Sequence, residues 1–370
     1  MATVKTRILI LSDTHGLPPD SPSSSTSPSP SSTTSTSSHP HHFRTPLAPA
    51  DVALHCGDLT KRSHIAEYRS TIALLRRIPA PLKLFIAGNH DTSLDPAFSP
   101  HPHAHAHLAA TTPRDDPDPD RDELAQLLEH ARAAHNILFL PEGTHALPLP
   151  NGATLRIFAS PRTPEYGLWA FQYPYNQHAF PIPRFKQPDH PSAPNSSGLN
   201  PESPPGWGSS PGNPPPVDIA MTHGPPRGIL DRARTAPSAG CPALLRAVAA
   251  ARPRIHCFGH IHESWGAYLA HWRHAVPASA SASASASASA SPEGGKVSPL
   301  DPEKSRLIAS LEHFTPVPGQ RCVELDLTQG RDAVVHGRQT LFVNAAIMDV
   351  RYRPTQLPWL IDVDLPKTES

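Results

Sequence analysis

Five short segments of the chain carry side chains that could bind metal ions or transfer protons. They are SDTHG with Asp13 and His15, HCGD with Asp58, AGNHD with Asn89, His90 and Asp91, MTHG with His223, and GHIH with His260 and His262. On an extended chain, residues i and i+2 point to the same side, so His260 and His262 can face one pocket. A mixture of imidazole and oxygen ligands favours Mn, Fe or Zn over Mg or Ca, which prefer shells of oxygen alone.

Each of these segments follows an apolar stretch that predicts a buried strand. Nine strands are predicted, beginning near Arg7, Asp51, Leu82, Asn136, Ala153, Val217, Arg254, Thr340 and Pro358. Most are nearly continuous apolar runs, which are typical of strands covered on both faces, and helical stripes at 65–75, 124–131 and 244–248 lie between them. Ligands bind at the carboxyl ends of the strands in such α/β sheets, so the five segments can converge on one site.

The composition indicates that part of the chain is irregular. The chain has 48 prolines in 370 residues, about 13% against a usual ~5%. Pro, Ser, Gly, His and Ala dominate four segments, at about 17–48, 94–121, 183–216 and 277–302. We expect these to be disordered surface insertions, because they supply too little apolar area to offset the entropy of ordering. The remainder predicts a single domain over 1–370.

Charge, cysteine usage and hydropathy exclude several classes. Lys plus Arg equals Asp plus Glu at 32 each, so no net field attracts nucleic acid or an acidic membrane. The four cysteines lie far apart, which predicts neither a disulfide framework nor a thiolate zinc site. No apolar run approaches the ~20 residues of a membrane span, and the N-terminus does not resemble a signal peptide. These features predict a soluble, cytoplasmic protein.

In order and type, the five motifs resemble the set that defines the calcineurin-like metallophosphoesterases. The resemblance extends from Arg7 to about Pro366. Further segments resemble a group within that superfamily, the small metallophosphoesterase-domain proteins related to class III cyclic-nucleotide phosphodiesterases: SPRTPEYGLWAFQYP, THGPPRGILD, GHIHESWG and FVNAAIMD. The resemblance implies a layered αββα sandwich, in which two mixed sheets are flanked by helices.

The resemblance also implies a ligand set for two divalent metal ions. One ion would be bound by Asp13, His15, Asp58 and His262, and the other by Asp58, Asn89, His223 and His260. Asp58 would bridge the ions, and a hydroxide shared between them would attack phosphorus. His90 would face the substrate and protonate the departing oxygen, with Asp91 orienting it.

The implied function is a dinuclear metal-dependent phosphohydrolase, most simply a phosphodiesterase acting on a small phosphodiester or a nucleotide. The alternative is a non-catalytic metal-binding scaffold whose Pro-rich insertions bind protein partners. A protein phosphatase is disfavoured because the chain continues after Gly57 and Asp58 as LTKRS, without the Asp-Arg-Gly of those enzymes. A nuclease is disfavoured because the chain lacks net basic charge.

Some polar and aromatic residues have a simpler structural interpretation. Turn or capping chemistry is the alternative for the Asp and Asn residues, although it would not explain the histidines. His55 and His256 fall inside predicted strands, where a hydrogen-bonded core histidine is expected. The resemblance to the subgroup implies a base-binding pocket lined by Tyr166, Trp169, Phe171, Arg162 and Arg227, whereas core packing is the alternative for the three aromatic side chains.

Overall fold

The computed structural model describes residues 2–19, 43–98, 119–174, 216–273 and 298–368. The helices within these ranges are α1 (Ile65–Arg76), α2 (Pro119–His135) and α3 (Pro242–Ala251). The strands are β1 (Thr3–Leu11), β2 (Val52–His55), β3 (Leu82–Phe85), β4 (Ile137–Phe139), β5 (Gly143–Pro148), β6 (Thr154–Ser160), β7 (Thr163–Pro164), β8 (Gln172–Tyr173), β9 (Ile219–Thr222), β10 (Ile255–Phe258), β11 (Gly266–His271), β12 (Arg306–Ser310), β13 (Val323–Asp326), β14 (Gln339–Asn344) and β15 (Trp359–Pro366).

Two large sheets carry most of these strands. The first has the order β13-β15-β1-β2-β3-β4, and the second has the order β12-β11-β14-β10-β9-β6-β5. In the first sheet β1, β2, β3 and β4 run parallel, while β15 is antiparallel to β1. In the second sheet β6, β9, β10 and β14 run parallel, while β5 and β11 are antiparallel to their neighbours. Both sheets are therefore mixed.

Strand β1 shows why its sequence is apolar at successive positions. Ile8 and Ile10 pack into the core between the two sheets, whereas Leu9 and Leu11 pack on the outer face of the first sheet, in the cluster that contains α1. Successive side chains of a strand point to opposite faces, so a strand covered on both sides is apolar throughout. A third cluster packs α3 on the outer face of the second sheet. The predicted layering, with two mixed sheets flanked by helices, is confirmed.

The predicted elements are all present, and the additional strands lie mainly at sheet edges. A strand or helix covers each of the nine predicted strands and three predicted helical stripes. The sequence prediction did not include β5, β7, β8, β11, β12 and β13. Of these, β12 has three half-buried, one exposed and one buried position, and β13 has only four residues, so neither produces a long apolar run.

Most of the predicted insertions 17–48, 94–121, 183–216 and 277–302 lie outside the described residues. Where the end of the first is described, Phe43 and Leu47 are buried in the cluster beside α1. These two side chains supply apolar area that the neighbouring Ser, Pro and Thr residues lack, so 43–48 belongs to the folded body.

Among the described helices, none combines the length and the apolar character needed to cross a lipid bilayer.

Candidate metal centre

The five motifs meet where the two sheets adjoin. Asp13, Asp58 and Asn89 follow β1, β2 and β3 of the first sheet, while His223 and His260 follow β9 and β10 of the second. Potential ligand atoms lie within 4.8 Å of one another in three overlapping groups: Asp13, His15 and His262; His15, Asp58 and His90; and Asp58, His223 and His260. The structure therefore brings the predicted side chains together at one place.

The backbone of these loops is held in an unusual conformation. Asp13, His15, Asp58 and His260 all have positive φ, at 56°, 46°, 55° and 69°. Residues other than glycine adopt this region at a cost, and such strain persists where the surroundings fix it. Here the Asp13 and His15 amides donate to the carbonyls of Gly57 and Asp58, at 3.0 and 3.1 Å. The loop after β1 is thereby locked onto the loop after β2.

Two glycines allow the loops to approach the ligand side chains closely. A Cβ added at Gly88 would lie 2.2 Å from Oδ1 of Asp58, and one added at Gly259 would lie 2.0 Å from Oδ2 of Asp13. Neither distance is compatible with a side chain. These positions therefore require glycine for the carboxylates to lie where they do.

The two carboxylates occupy different positions in the centre. Both oxygens of Asp13 accept the His260 backbone N–H at 3.1 Å, and its Oδ1 lies 3.3 Å from Nε2 of His262. Asp58 accepts the backbone N–H of His90 through Oδ1, at 2.9 Å. Its Oδ2 lies 3.8 Å from Nε2 of His15 and 3.4 Å from Nε2 of His223. Asp58 therefore faces histidines of two different groups.

Three histidines have one ring nitrogen fixed by a backbone carbonyl. Nδ1 of His15 lies 2.9 Å from the Thr60 oxygen, Nδ1 of His223 lies 2.9 Å from the Cys56 oxygen, and Nδ1 of His262 lies 3.0 Å from the Asp349 oxygen. A carbonyl only accepts, so in each case Nδ1 carries a proton, and Nε2 offers a lone pair whenever the ring is neutral. This arrangement is typical of metal-binding histidines.

The free nitrogens then face other electron-pair donors. Nε2 of His15 lies 3.3 Å from Nε2 of His262, and Nε2 of His223 lies 2.9 Å from Oδ1 of Asn89. Nδ2 of Asn89 is buried without a hydrogen-bond partner. Lone pairs at such distances repel unless a proton or a metal cation lies between them. The donor set therefore fits divalent metal ions.

The pKa shifts show which of these nitrogens a proton occupies when no metal ion is bound. Burial opposes charge on His223, but the Asp58 carboxylate outweighs it and raises the histidine's pKa to about 9. Burial lowers the pKa of His15 to about 4 and that of His260 to about 3. Burial also opposes ionisation of Asp58, yet its histidine neighbours hold the pKa of its carboxyl well below the usual range. A metal ion would displace the proton held on His223, because a ligand nitrogen must be unprotonated.

His90 and Asp91 do not pair as the resemblance implied. Nδ1 of His90 lies 2.8 Å from the Lys61 carbonyl oxygen, so a backbone group orients the ring. The Asp91 carboxylate instead accepts the backbone N–H groups of Gly88, Leu59 and Thr60 and the Thr60 hydroxyl, at 2.7–3.1 Å. Burial raises the pKa of Asp91 to about 7, although these four donors favour its ionised form. Asp91 therefore joins the loop after β3 to the loop after β2.

The two histidines inside strands are buried core residues. Nε2 of His55 lies 2.9 Å from the Thr14 hydroxyl, and Nε2 of His256 lies 2.8 Å from the Thr222 hydroxyl. Both side chains are hydrogen-bonded within the core, as expected from the sequence.

A pocket of about 350 Å³ opens beside His90. It is lined by Lys61, Arg62, His90, Thr92, Phe98, Leu168, Trp169 and Tyr352. The Trp169 ring lies 4.2 Å from the His90 ring, so this tryptophan lines the pocket. Arg162 instead pairs with Glu142 at 2.8 Å, and Tyr166 lies beside His260 with 5.2 Å between the ring centroids.

Sequence reasoning missed Tyr352, whose ring centroid lies 4.8 Å from that of His15. It comes after the last of the five motifs, on the loop after β14, and has a φ of 58°. The side chain of Asp349 holds this loop by accepting the backbone N–H groups of Arg351 and Arg353 at 2.8 and 3.0 Å. A Tyr in the short polar segment DVRYRP has no spacing pattern that would have revealed it.

Comparison with known proteins identifies one family model and several relatives. The model described as calcineurin-like phosphoesterase matches residues 6–264. The chain is 27% identical over 234 residues to the probable rhamnogalacturonate lyase C of Emericella nidulans, covering 63% of this chain and 17% of that protein. It is 27% identical over 218 residues to the human metallophosphoesterase domain-containing protein 1, covering 58% of this chain and 55% of that protein.

The matched part of the chain therefore spans about half or less of the length of these two curated relatives. Among solved structures, TT1561 of Thermus thermophilus aligns with 70% of this chain and 82% of its own, at 10% identity and a TM-score of 0.34.

Proposed function

Because the chain belongs to the calcineurin-like phosphoesterase family, we propose that it is a dinuclear metal-dependent phosphohydrolase that cleaves a small phosphodiester or nucleotide. The observation that carries this proposal is the position of Asp58 between two groups of ligand atoms. A carboxylate in that position would help to hold both cations of a two-metal site.

The proposed ligand sets follow the two groups. One ion would be held by Asp13, His15, Asp58 and His262, and the other by Asp58, Asn89, His223 and His260. Each set combines imidazole nitrogens with oxygen donors, which favours Mn, Fe or Zn. Two such ions would lower the pKa of water and polarise the phosphoryl group.

His90 is placed to act on the substrate. Its Nδ1–H is donated to the Lys61 carbonyl, so the protonated ring offers Nε2–H as its remaining donor. The ring lies between the ligands and the pocket, 5.0 Å from the His15 ring and 4.2 Å from the Trp169 ring. We assign it the task of protonating the departing ester oxygen, while Asp91 maintains the loop that carries it.

The pocket supports a small substrate with a planar group. Its volume of about 350 Å³ lies in the range of small-molecule sites. The Trp169 and Tyr352 rings form part of its lining, and such rings can stack on a nucleobase or another aromatic group. A phosphodiester with a nucleoside or aryl substituent therefore fits it.

The test is hydrolysis by Mn-loaded protein of a panel that contains bis(4-nitrophenyl) phosphate, 4-nitrophenyl phosphate and 2′,3′- and 3′,5′-cyclic nucleotides. Asp58→Asn removes the carboxylate between the two groups and should lower kcat by at least ~10²-fold, with loss of bound metal. The matched control is Asp122→Asn, the same change at an exposed position of α2, which should retain both metals and wild-type activity. If protein shown to hold two metal ions cleaves none of these esters, the proposal fails and a non-catalytic metal-binding scaffold is favoured.

A further inference from the structure

The pocket beside His90 carries positive charge that the reacting phosphate does not require. Its described lining contains Lys61 and Arg62 but no Asp or Glu. Both side chains are exposed, and both residues come directly after the loop that bears Asp58. These two side chains therefore give the solvent-exposed part of the pocket lining a positive charge.

Glu67, in the first turn of α1, contacts the backbone rather than the side chains of Lys61 and Arg62. The Glu67 carboxylate accepts the backbone N–H groups of Lys61, Arg62 and His64, at 3.2, 2.9 and 3.1 Å. These bonds fix the course of the backbone at the start of α1 and leave the Lys61 and Arg62 side chains outside the contact. Glu67 thus serves as an anchor for the loop that presents the two cations.

Lys61 is also positioned relative to the pocket wall. Its Nζ lies 4.0 Å from the centre of the Tyr352 ring, a cation–π contact. Tyr352 in turn packs edge-on against His15. The ammonium group therefore lies along a side of the pocket that adjoins the proposed metal ligand His15.

The charge balance indicates what this end of the pocket would take. On the proposed function, two divalent ions bring four positive charges and the Asp13 and Asp58 carboxylates bring two negative ones. The hydroxide shared by the ions brings one more negative charge, so one positive charge remains, which matches the single negative charge of a phosphodiester. Lys61 and Arg62 add two more positive charges to the lining of the pocket, and a substrate without further charge would place no anion beside them.

We propose that Lys61 and Arg62 form a second anion subsite, so that the substrate is a phosphoester whose planar or nucleoside body carries an additional anionic group, a phosphate or a carboxylate. The body lies between Trp169 and Tyr352, and the additional group reaches the two cations. This inference rests on the proposed function and narrows its substrate class.

The kinetic test compares two chromogenic diesters that differ by one group: thymidine 5′-(4-nitrophenyl phosphate) and its 3′-phosphorylated form. The wild-type protein should show a higher kcat/KM for the 3′-phosphorylated ester, and Lys61→Ala/Arg62→Ala should reduce that preference about tenfold, the equivalent of about 1.4 kcal/mol. The preference should also fall as salt rises, because the cations are exposed. The double variant Arg246→Ala/Lys304→Ala, which removes two exposed cations elsewhere, should leave the ratio unchanged.

A binding measurement separates this inference from the proposed function. Calorimetry would compare thymidine 3′,5′-bisphosphate with thymidine 5′-monophosphate on wild-type and Lys61→Ala/Arg62→Ala protein. If neither diester is hydrolysed but the bisphosphate binds more tightly in a manner that depends on the two cations, the proposed function fails and the subsite stands. If the protein hydrolyses the diesters but Lys61→Ala/Arg62→Ala leaves the kcat/KM ratio of the two diesters unchanged, the subsite is overturned and the proposed function stands.

Discussion

Substitution of Gly88 by alanine should disable the metal centre without unfolding the protein. The new Cβ would lie 2.2 Å from Oδ1 of Asp58, 2.3 Å from the backbone nitrogen of Asp58 and 2.7 Å from Cε1 of His223. Non-bonded carbon contacts are favourable at about 3.5–4.0 Å, so the loops must separate by about 1 Å. A misplacement of that size can cost ~10²-fold in rate, and overpacking costs about 1–3 kcal/mol of stability.

The assay combines three measurements on the purified variant: bound metal by mass spectrometry, hydrolysis of the diester that the wild type prefers, and thermal unfolding. Gly152→Ala is the control, because its φ is 85° yet an added Cβ would meet no atom within 4 Å. It should lose about 1 kcal/mol of stability through backbone strain but keep metal and activity. If Gly88→Ala protein keeps two metal ions and a kcat within twofold of wild type, a methyl group at position 88 does not displace Asp58 and His223, and the steric requirement for glycine is refuted.

Two further predictions concern His90 and a buried carboxylate outside the centre. His90→Gln should lower kcat by ~10²–10⁴-fold with metal retained, and more for an alkyl leaving group than for 4-nitrophenol; equal losses would show that His90 is not the acid. Burial raises the pKa of Asp218 to about 6, so the stability it contributes is present at low pH and lost as pH rises through 6. Urea unfolding would give the free energy of unfolding of the wild type and of Asp218→Asn at each pH. The wild-type value minus the variant value should fall by roughly 2 kcal/mol from pH 4 to 7, and a difference that stays constant would contradict the raised pKa.

The sequence was sufficient to predict which polar side chains lie together, because they occur in short motifs at the ends of apolar strands. Once β1, β2 and β3 are placed side by side by their continuous apolar runs, the residues that follow them must lie near one another. Elements at sheet edges were harder to predict. Strand β12, for example, has a mixed burial pattern that gives it no long apolar signal.

Contacts between loops distant in sequence could not be read from motifs. Tyr352 contacts His15 because the Asp349 carboxylate fixes the loop after β14. This carboxylate accepts the backbone N–H groups of Arg351 and Arg353, the two neighbours of Tyr352. The partner of His90 is likewise a backbone carbonyl, that of Lys61. Any residue supplies such a carbonyl, so the side-chain sequence contains no sign of it.

The division of the ligands between the two sheets has a consequence for the synthesis of the chain. In both proposed sets the oxygen ligands come from the first sheet, whereas His223, His260 and His262 follow strands of the second. A nascent chain on the ribosome therefore cannot complete either ion's ligand set until His260 has emerged and β9 and β10 have docked beside the first sheet; the first set also requires His262. On the proposed function, hydrolytic activity would begin only when both halves have assembled.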